Sequence, residues 1–186
     1  MDPVQVEQIA LGQIDPGERL LWSGAPAAGS AAVGALPGTL IGIPFFGFAC
    51  FWIWSAYDAM ASTSRSGPWA FFPLFGVPFA LVGLGVMAAP LWAFLAARHT
   101  VYAVTERRAL IIGGLFSRNV QSFTRAEIGN VTRIERPDGS GTVHFASRTY
   151  TTSKGFTRVR PIGFVGIPEV RRVEQLIRDH LQERAA

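Results

Sequence analysis

LPGTLIGIPFFGFACFWIWSAY, from Leu36 to Tyr57, and WAFFPLFGVPFALVGLGVMAAPLWAFLAA, from Trp69 to Ala97, contain no charged side chain. Each stretch exceeds the roughly 20 apolar residues that an α-helix needs to cross the hydrocarbon core of a bilayer. A buried helical pair in a soluble protein is the alternative, but a chain of 186 residues has too little other sequence to cover both stretches. The two stretches therefore predict a transmembrane helical hairpin, with helices over 36–57 and 69–97.

Charged residues are distributed unevenly around these stretches. From Arg98 to the carboxyl terminus there are 15 Lys and Arg against 8 Asp and Glu, whereas Met1 to Ala35 contains one Arg and four acidic residues. The connector between the stretches has Arg65 as its only basic residue. Because cytoplasmic loops carry the excess of basic residues, we expect a multi-pass protein of the bacterial inner (plasma) membrane with both termini in the cytoplasm.

Both apolar stretches contain the pattern Gly-Ile/Val-Pro-Phe, at 42–45 and at 76–79. A proline inside a helix removes a backbone hydrogen bond and bends the helix, and a glycine lets another helix approach closely. The pattern is compatible with a hinge or a self-association face, and also with simple packing within the hairpin. Packing within the hairpin is the simpler interpretation.

Beyond Ala97 the hydrophobic pattern becomes alternating. Short β-branched and aromatic runs separated by turn residues predict strands, at His99–Thr105, Arg108–Ile112, Val120–Thr124, Asn130–Arg136, Thr142–Ser147 and Thr157–Ile162. Pro168 suits the first turn of a helix, and apolar residues recur at spacings of three and four from Ile167 to Leu181. These elements predict a small antiparallel barrel or sheet capped by a C-terminal helix.

The amino-terminal part, 1–35, is expected to be a cytosolic or juxtamembrane segment. Val4–Gly12 is compatible with a short helix, and ERLLWS, Glu18–Ser23, with a strand or an interfacial segment. The sequence leaves open whether this segment joins the later sheet. The predicted division is thus 1–35, a transmembrane hairpin at 36–97, and a cytosolic domain at 98–186.

TVYAVTERRALII, from Thr100 to Ile112, resembles the first hairpin of bacterial pleckstrin-homology-like (PH-like) domains. In that family a Tyr-apolar-apolar-Thr-Asn-x-Arg pattern commonly follows paired membrane helices, and this chain has Glu106 in place of the Asn. The resemblance extends to Asp138–Phe145 and to the terminal helix. It implies an α+β membrane protein whose barrel of two near-orthogonal sheets is capped by the last helix, in a family whose members mostly have no assigned biochemical role.

No pattern for catalysis or cofactor binding is present in the sequence. His99, His144 and His180 fall in three different predicted elements and match no metal or triad spacing. The single cysteine, Cys50, lies inside the first apolar stretch, so neither an intramolecular disulfide nor a zinc site is expected. We therefore predict a protein that is not an enzyme and has no catalytic, metal-binding or cofactor-binding residues.

Lys154, Arg158 and Arg160 are the candidates for contact with anionic lipid. Their Lys-x-x-x-Arg-x-Arg spacing resembles the basic signature with which some eukaryotic PH domains hold phosphoinositides, and strand alternation would place the two arginines on one face. The cluster nevertheless comes late in the domain instead of in its first hairpin, so nonspecific attraction to anionic lipid is the favoured interpretation. Nucleic acid is not expected as a partner because the basic residues are scattered and no aromatic-interleaved motif is present.

The predicted function is that of a non-enzymatic interaction or assembly protein that presents a cytosolic PH-like domain at the inner-membrane surface. Its expected partners are the bilayer, anionic headgroups, and either a membrane protein or a second copy bound through the helical hairpin. An accessory subunit of a membrane enzyme or transporter complex is the alternative.

Overall fold

A computed structural model describes residues 1–63, 68–114, 117–152 and 155–182. The chain divides into two compact units, one formed by Met1–Ser30 with Leu95–Ala186 and the other by Ala31–Phe94. The division of the chain predicted above, with a membrane part at 36–97, stays a prediction.

The described residues of the first unit form two antiparallel sheets, two complete α-helices and a short 3-10 helix, Arg125–Glu127. The four-stranded sheet has the order β1-β2-β3-β4 and the three-stranded sheet the order β5-β6-β7. The helices are α1 (Pro3–Leu11) and α6 (Val170–His180). The strands are β1 (Leu20–Gly24), β2 (Val101–Thr105), β3 (Arg108–Gly113), β4 (Asn119–Thr124), β5 (Thr132–Glu135), β6 (Gly141–Thr151) and β7 (Thr157–Ile167).

The amino-terminal segment is part of this folded unit, which answers the question that the sequence left open. Strand β1 pairs with β2, with Gly24 opposite Tyr102. Helix α1 buries Val6 and Ala10 in a cluster with apolar residues of β2 and β3, including Leu110. The first sheet is therefore built from residues on both sides of the apolar stretches.

The main core lies between the two sheets and α6. Rings of Tyr102, Phe145 and Phe164 meet there, with the Phe164 centroid 4.8 Å from that of Tyr102 and 5.0 Å from that of Phe145. Helix α6 buries Val173 and Ile177, four residues apart on one face, in the same cluster. The prediction of an α+β domain with antiparallel sheets and a C-terminal helix is confirmed.

The second unit is helical. Its elements are α2 (Ala28–Gly34), α3 (Leu36–Thr63), a 3-10 helix (Pro68–Phe75), α4 (Gly76–Met87) and α5 (Ala89–Arg98), and the division between the units falls inside α2 and α5. Among the described residues, α3 is the one helix that is long and apolar enough to cross a membrane by itself, over Leu36–Ser62. A second crossing requires Phe71–Met87 and Ala89–Arg98 to count as one span, although they are bent by 49°.

The prediction of one continuous helix over 69–97 is corrected by this break. Ala88 ends α4, and Pro90 lies in the first turn of α5. A proline at this position has no N–H for the carbonyl of Val86, and its ring crowds that carbonyl, so the helix breaks there. A hydropathy pattern records apolar length but is insensitive to this break.

Glycines of the Gly-Ile/Val-Pro-Phe patterns lie at the contact of α3 with the following helical segment. A Cβ atom added to Gly42 would lie 2.9 Å from the backbone nitrogen of Met87, and one added to Gly76 would lie 2.5 Å from Cγ1 of Ile53. Thr39 Oγ1 donates to the Met87 carbonyl at 3.3 Å at the same contact. These close approaches favour packing within the helical pair over the alternatives.

Candidate functional site

The β6–β7 hairpin contains the residues that the sequence selected for anionic-lipid contact. Its register is continuous from Ala146 opposite Ile162 to Thr151 opposite Thr157. Side chains alternate between the two faces of a strand, so Arg158 and Arg160 lie on the same face of β7. Lys154 falls outside the described residues.

Two residues of β6 complete this face. Arg148 pairs directly with Arg160, and Tyr150 pairs directly with Arg158. Directly opposite residues project to the same face with Cβ atoms about 5 Å apart, and residues two apart along a strand are separated by about 7 Å. These four exposed side chains, Arg148, Tyr150, Arg158 and Arg160, form what we call the arginine face.

Arg148 and Tyr150 were not among the site residues predicted from the sequence. Their spacing of two residues was visible, but which residue of β6 opposes which residue of β7 depends on the register that the turn sets. A search for basic residues at equal sequence distances on either side of position 154 would have paired Arg148 with Arg160.

Arg158 and Arg160 have no carboxylate partner in an ion pair among the described residues, whereas Arg148 has Glu127 nearby. The pKa of Glu127 is lowered first by hydrogen bonds from the Thr124 backbone and hydroxyl and then by the Arg148 charge. Directly opposed arginines repel each other, so the face favours an anion between them.

The two ends of the hairpin differ in character. At its base Ala146 and Ile162 pack against the domain core. Near its tip Phe156 is 67% exposed, and Val159 is 63% exposed on the face opposite the arginines. Thr152 closes the turn, with its backbone N–H donating to the Phe156 carbonyl at 2.9 Å. The hairpin thus combines cationic and apolar groups beyond the core.

A second polar cluster joins the amino-terminal segment to the β2–β3 turn. The side chain of Glu18 is only 1% exposed. Thr105 Oγ1 donates to Glu18 Oε1 at 2.6 Å, and Arg108 Nη2 donates to Glu18 Oε2 at 2.8 Å. Arg108 Nη2 also donates to Asp15 Oδ2 at 2.7 Å. We call Asp15, Glu18, Thr105 and Arg108 the Glu18 clamp.

The Glu18 clamp stabilises structure and is poorly suited to catalysis. Burial acts to raise the pKa of Glu18, but hydrogen bonds from Arg108, Thr105 and the Asp15 backbone outweigh it, and the net pKa is lowered. The hydrogen bond to Glu18 raises the pKa of Arg108. A carboxylate held ionised by several donors is a weak base. The clamp therefore gives Thr105 and Arg108 of the quoted family pattern a structural role.

The histidines lie apart, as their positions in the sequence predicted. His99 follows α5, His144 is in β6, and His180 is in α6 with Nδ1 3.2 Å from the Leu176 carbonyl oxygen. Nδ1 of His144 is buried without a hydrogen-bond partner among the described residues. Within those residues no three His, Cys, Asp or Glu side chains are grouped so that they could hold a metal ion.

The Bacterial PH domain family matches residues 68–183, which is more than half of the chain. The chain belongs to this family. The resemblance noted at Thr100–Ile112 is thereby confirmed, and the match extends from the 3-10 helix through α6. No curated protein and no solved structure matches the chain.

Membership favours a membrane-associated or interaction role, and PH-like families are generally non-enzymatic. The matched residues exclude α1 and β1, although β1 completes the first sheet of this protein. The arginine face lies within the matched residues, on their last hairpin.

Proposed function

We propose that this PH-family protein is a non-enzymatic interaction or assembly module anchored in the bacterial inner membrane, with its PH-like domain at the cytoplasmic surface. Its helical unit acts as the anchor, and its two sheets and α6 form the domain that meets partners. No catalytic, metal-binding or cofactor-binding residue is assigned to this role.

The observation that carries the proposal is the pairing of β1 with β2. These two strands flank the apolar unit Ala31–Phe94 in sequence. One hydrogen-bonded sheet with open edges is not stable across a hydrocarbon core, because its unpaired backbone groups would lack hydrogen-bond partners. The segments before and after the apolar unit therefore belong on the same side of the membrane.

This arrangement requires an even number of membrane crossings. If α3 crosses, the chain has to return through the bent pair Phe71–Met87 and Ala89–Arg98. The basic excess after Arg98 supports the cytoplasm as the side on which the domain lies. We therefore propose a two-span hairpin with a broken second span.

Purification of the intact chain from bacterial membranes in a mild detergent tests this role. We expect extraction from the membrane fraction by detergent and not by alkaline carbonate, together with self-association or a non-catalytic membrane partner. A chain released by carbonate would contradict the anchor. Copurification of an enzyme or transporter in fixed stoichiometry would instead support the accessory-subunit alternative.

A further inference from the structure

We infer that the arginine face is a defined binding site for the phosphate groups of anionic phospholipids. This inference rests on the membrane location proposed above and identifies the surface that contacts the headgroups. It departs from the diffuse attraction that the sequence alone favoured, because the register adds Arg148 and Tyr150 to Arg158 and Arg160.

The geometry of the face matches a phosphate group. Arg158 and Arg160 are two positions apart on β7, and Arg148 is directly opposite Arg160. The strand positions of these three arginines are within about 7 Å of one another. Their guanidinium groups are therefore able to contact one phosphate together. Planar guanidinium groups donate paired hydrogen bonds to phosphate oxygens, and the Tyr150 hydroxyl supplies one further donor.

The electrostatics of the face favour an anionic occupant. Many other arginines of the first unit are paired with carboxylates, such as Arg108 with Glu18, Arg133 with Glu174 and Arg171 with Glu135. Within the described part of the chain, no such ion pair includes Arg158 or Arg160. Their repulsion from Arg148 is relieved when a phosphate lies among them.

The apolar residues of the same hairpin select lipid over a soluble phosphate. Phe156 and Val159 are largely exposed near the tip. Phe156 lies near the tip and Val159 on the face opposite the arginines, so a hairpin that enters the headgroup layer tip first brings both side chains to the boundary between headgroups and acyl chains. A free phosphate would leave these two side chains in water.

Hydrogen–deuterium exchange of the full chain in nanodiscs tests the site. Exchange is followed in peptides covering 147–161, first in phosphatidylcholine discs and then in discs containing phosphatidylglycerol. The test variant is R158Q/R160Q. The control R118Q/R136Q removes the same charge from two exposed arginines elsewhere in the first unit, and R158K/R160K keeps the charge without the guanidinium fork. Unchanged exchange in peptides of β2 and β3 shows that each variant is folded.

We expect phosphatidylglycerol to slow exchange at 147–161 in the natural chain and in the control, and this protection to be lost in R158Q/R160Q and weakened in R158K/R160K. Equal loss in the test and control variants would overturn the site in favour of diffuse attraction. Protection by inorganic phosphate in phosphatidylcholine discs would overturn lipid as the source of the phosphate. Absence of any protection in a chain that is inserted in the disc would overturn this inference and leave the membrane anchor standing.

Discussion

At the scale of single residues, the Glu18 clamp shows how a carboxylate is tolerated inside this protein. An ionised carboxylate is costly to bury unless its oxygens are hydrogen-bonded or paired with a cation. Glu18 satisfies both requirements, since its oxygens accept from Thr105 and Arg108. The partners come from β2 and β3, so the clamp fixes the chain that leads into β1.

Replacing Glu18 with Gln is expected to lower the free energy of unfolding of the first unit by about 2 kcal/mol, the scale of hydrogen bonds to a charged group. The control D15N removes a carboxylate that is 72% exposed and also contacts Arg108, so a much smaller loss is expected. The free energy of unfolding of both variants is measured by urea unfolding of the purified chain at neutral pH, monitored through the hydrogen exchange of β2 and β3. Equal losses of stability in E18Q and D15N would contradict the argument that Glu18 contributes more because it is buried.

The lowered pKa of Glu18 also predicts a pH dependence. A carboxyl group whose pKa is lower when folded than when unfolded stabilises the fold above its unfolded pKa and loses this effect as pH falls through the folded pKa. The ordinary value is 4.5, so stability is expected to decline as the pH is lowered below about 4.5. In E18Q the decline should be smaller, and an identical decline in both proteins would assign it to other carboxylates.

The same residues show the limit of sequence-based prediction at this scale. Alternation along one strand correctly placed Arg158 and Arg160 on one face, because it depends only on local geometry. The contact of Glu18 with Arg108 joins residues 90 positions apart, and no periodicity within either segment indicates it. Long-range pairing is set by the assembled sheet.

At the scale of elements, α6 is predicted to be essential to the first unit. Placing Asp at Ile177, which is completely buried in the core, would force a carboxylate into apolar surroundings and cost several kcal/mol. The control Q175D adds the same side chain on the exposed side of the helix. We expect I177D, and not Q175D, to become sensitive to limited proteolysis in α6 and the strands. Equal resistance of both variants would show that α6 does not cap the sheets.

The contact between α3 and α4 gives a second prediction at this scale. In G83A the new Cβ atom would lie 2.9 Å from the Cα of Phe46, so the two helices have to move apart. Gly85 has no atom within 4 Å of such a Cβ, and alanine is the better helix former. We therefore expect a lower thermal unfolding temperature in detergent for G83A and an unchanged or higher one for G85A. A higher temperature for G83A would contradict the close packing.

Predictability differed among the elements for physical reasons. The strands from β2 onwards and α6 were found because each has its own periodicity, and their ends shifted by a few residues. The break at Ala88 was missed because the apolar pattern continues through it, although Pro90 provided the signal. Membership of β1 in the first sheet was undecidable, since it depends on a partner strand beyond the apolar stretches.

At the scale of the whole molecule, the proposed membrane anchoring can be combined with the pairing of β1 with β2 to predict a topology. If the apolar unit is the proposed anchor, this pairing requires an even number of crossings within Ala31–Phe94, whatever the lengths of the helices. Within the described part of the chain, length and composition identify one helix able to cross by itself. If α3 crosses the membrane as proposed, the bent second segment is therefore predicted to form the return path.

Topology reporters test this assignment. A reporter fused after Ala186 and another fused before Met1 are expected to be active in the cytoplasm, because the sheet unites their segments and the basic excess retains them there. A reporter inserted after Ser64, between the two apolar stretches, is expected to be active only in the periplasm.

Reversing the charge bias by adding basic residues at this connector should reduce the periplasmic signal, which checks that charge helps to set the orientation. Termini on opposite sides would contradict the pairing of β1 with β2, whereas a cytoplasmic signal at all three positions would mean that the apolar unit enters the bilayer without crossing it.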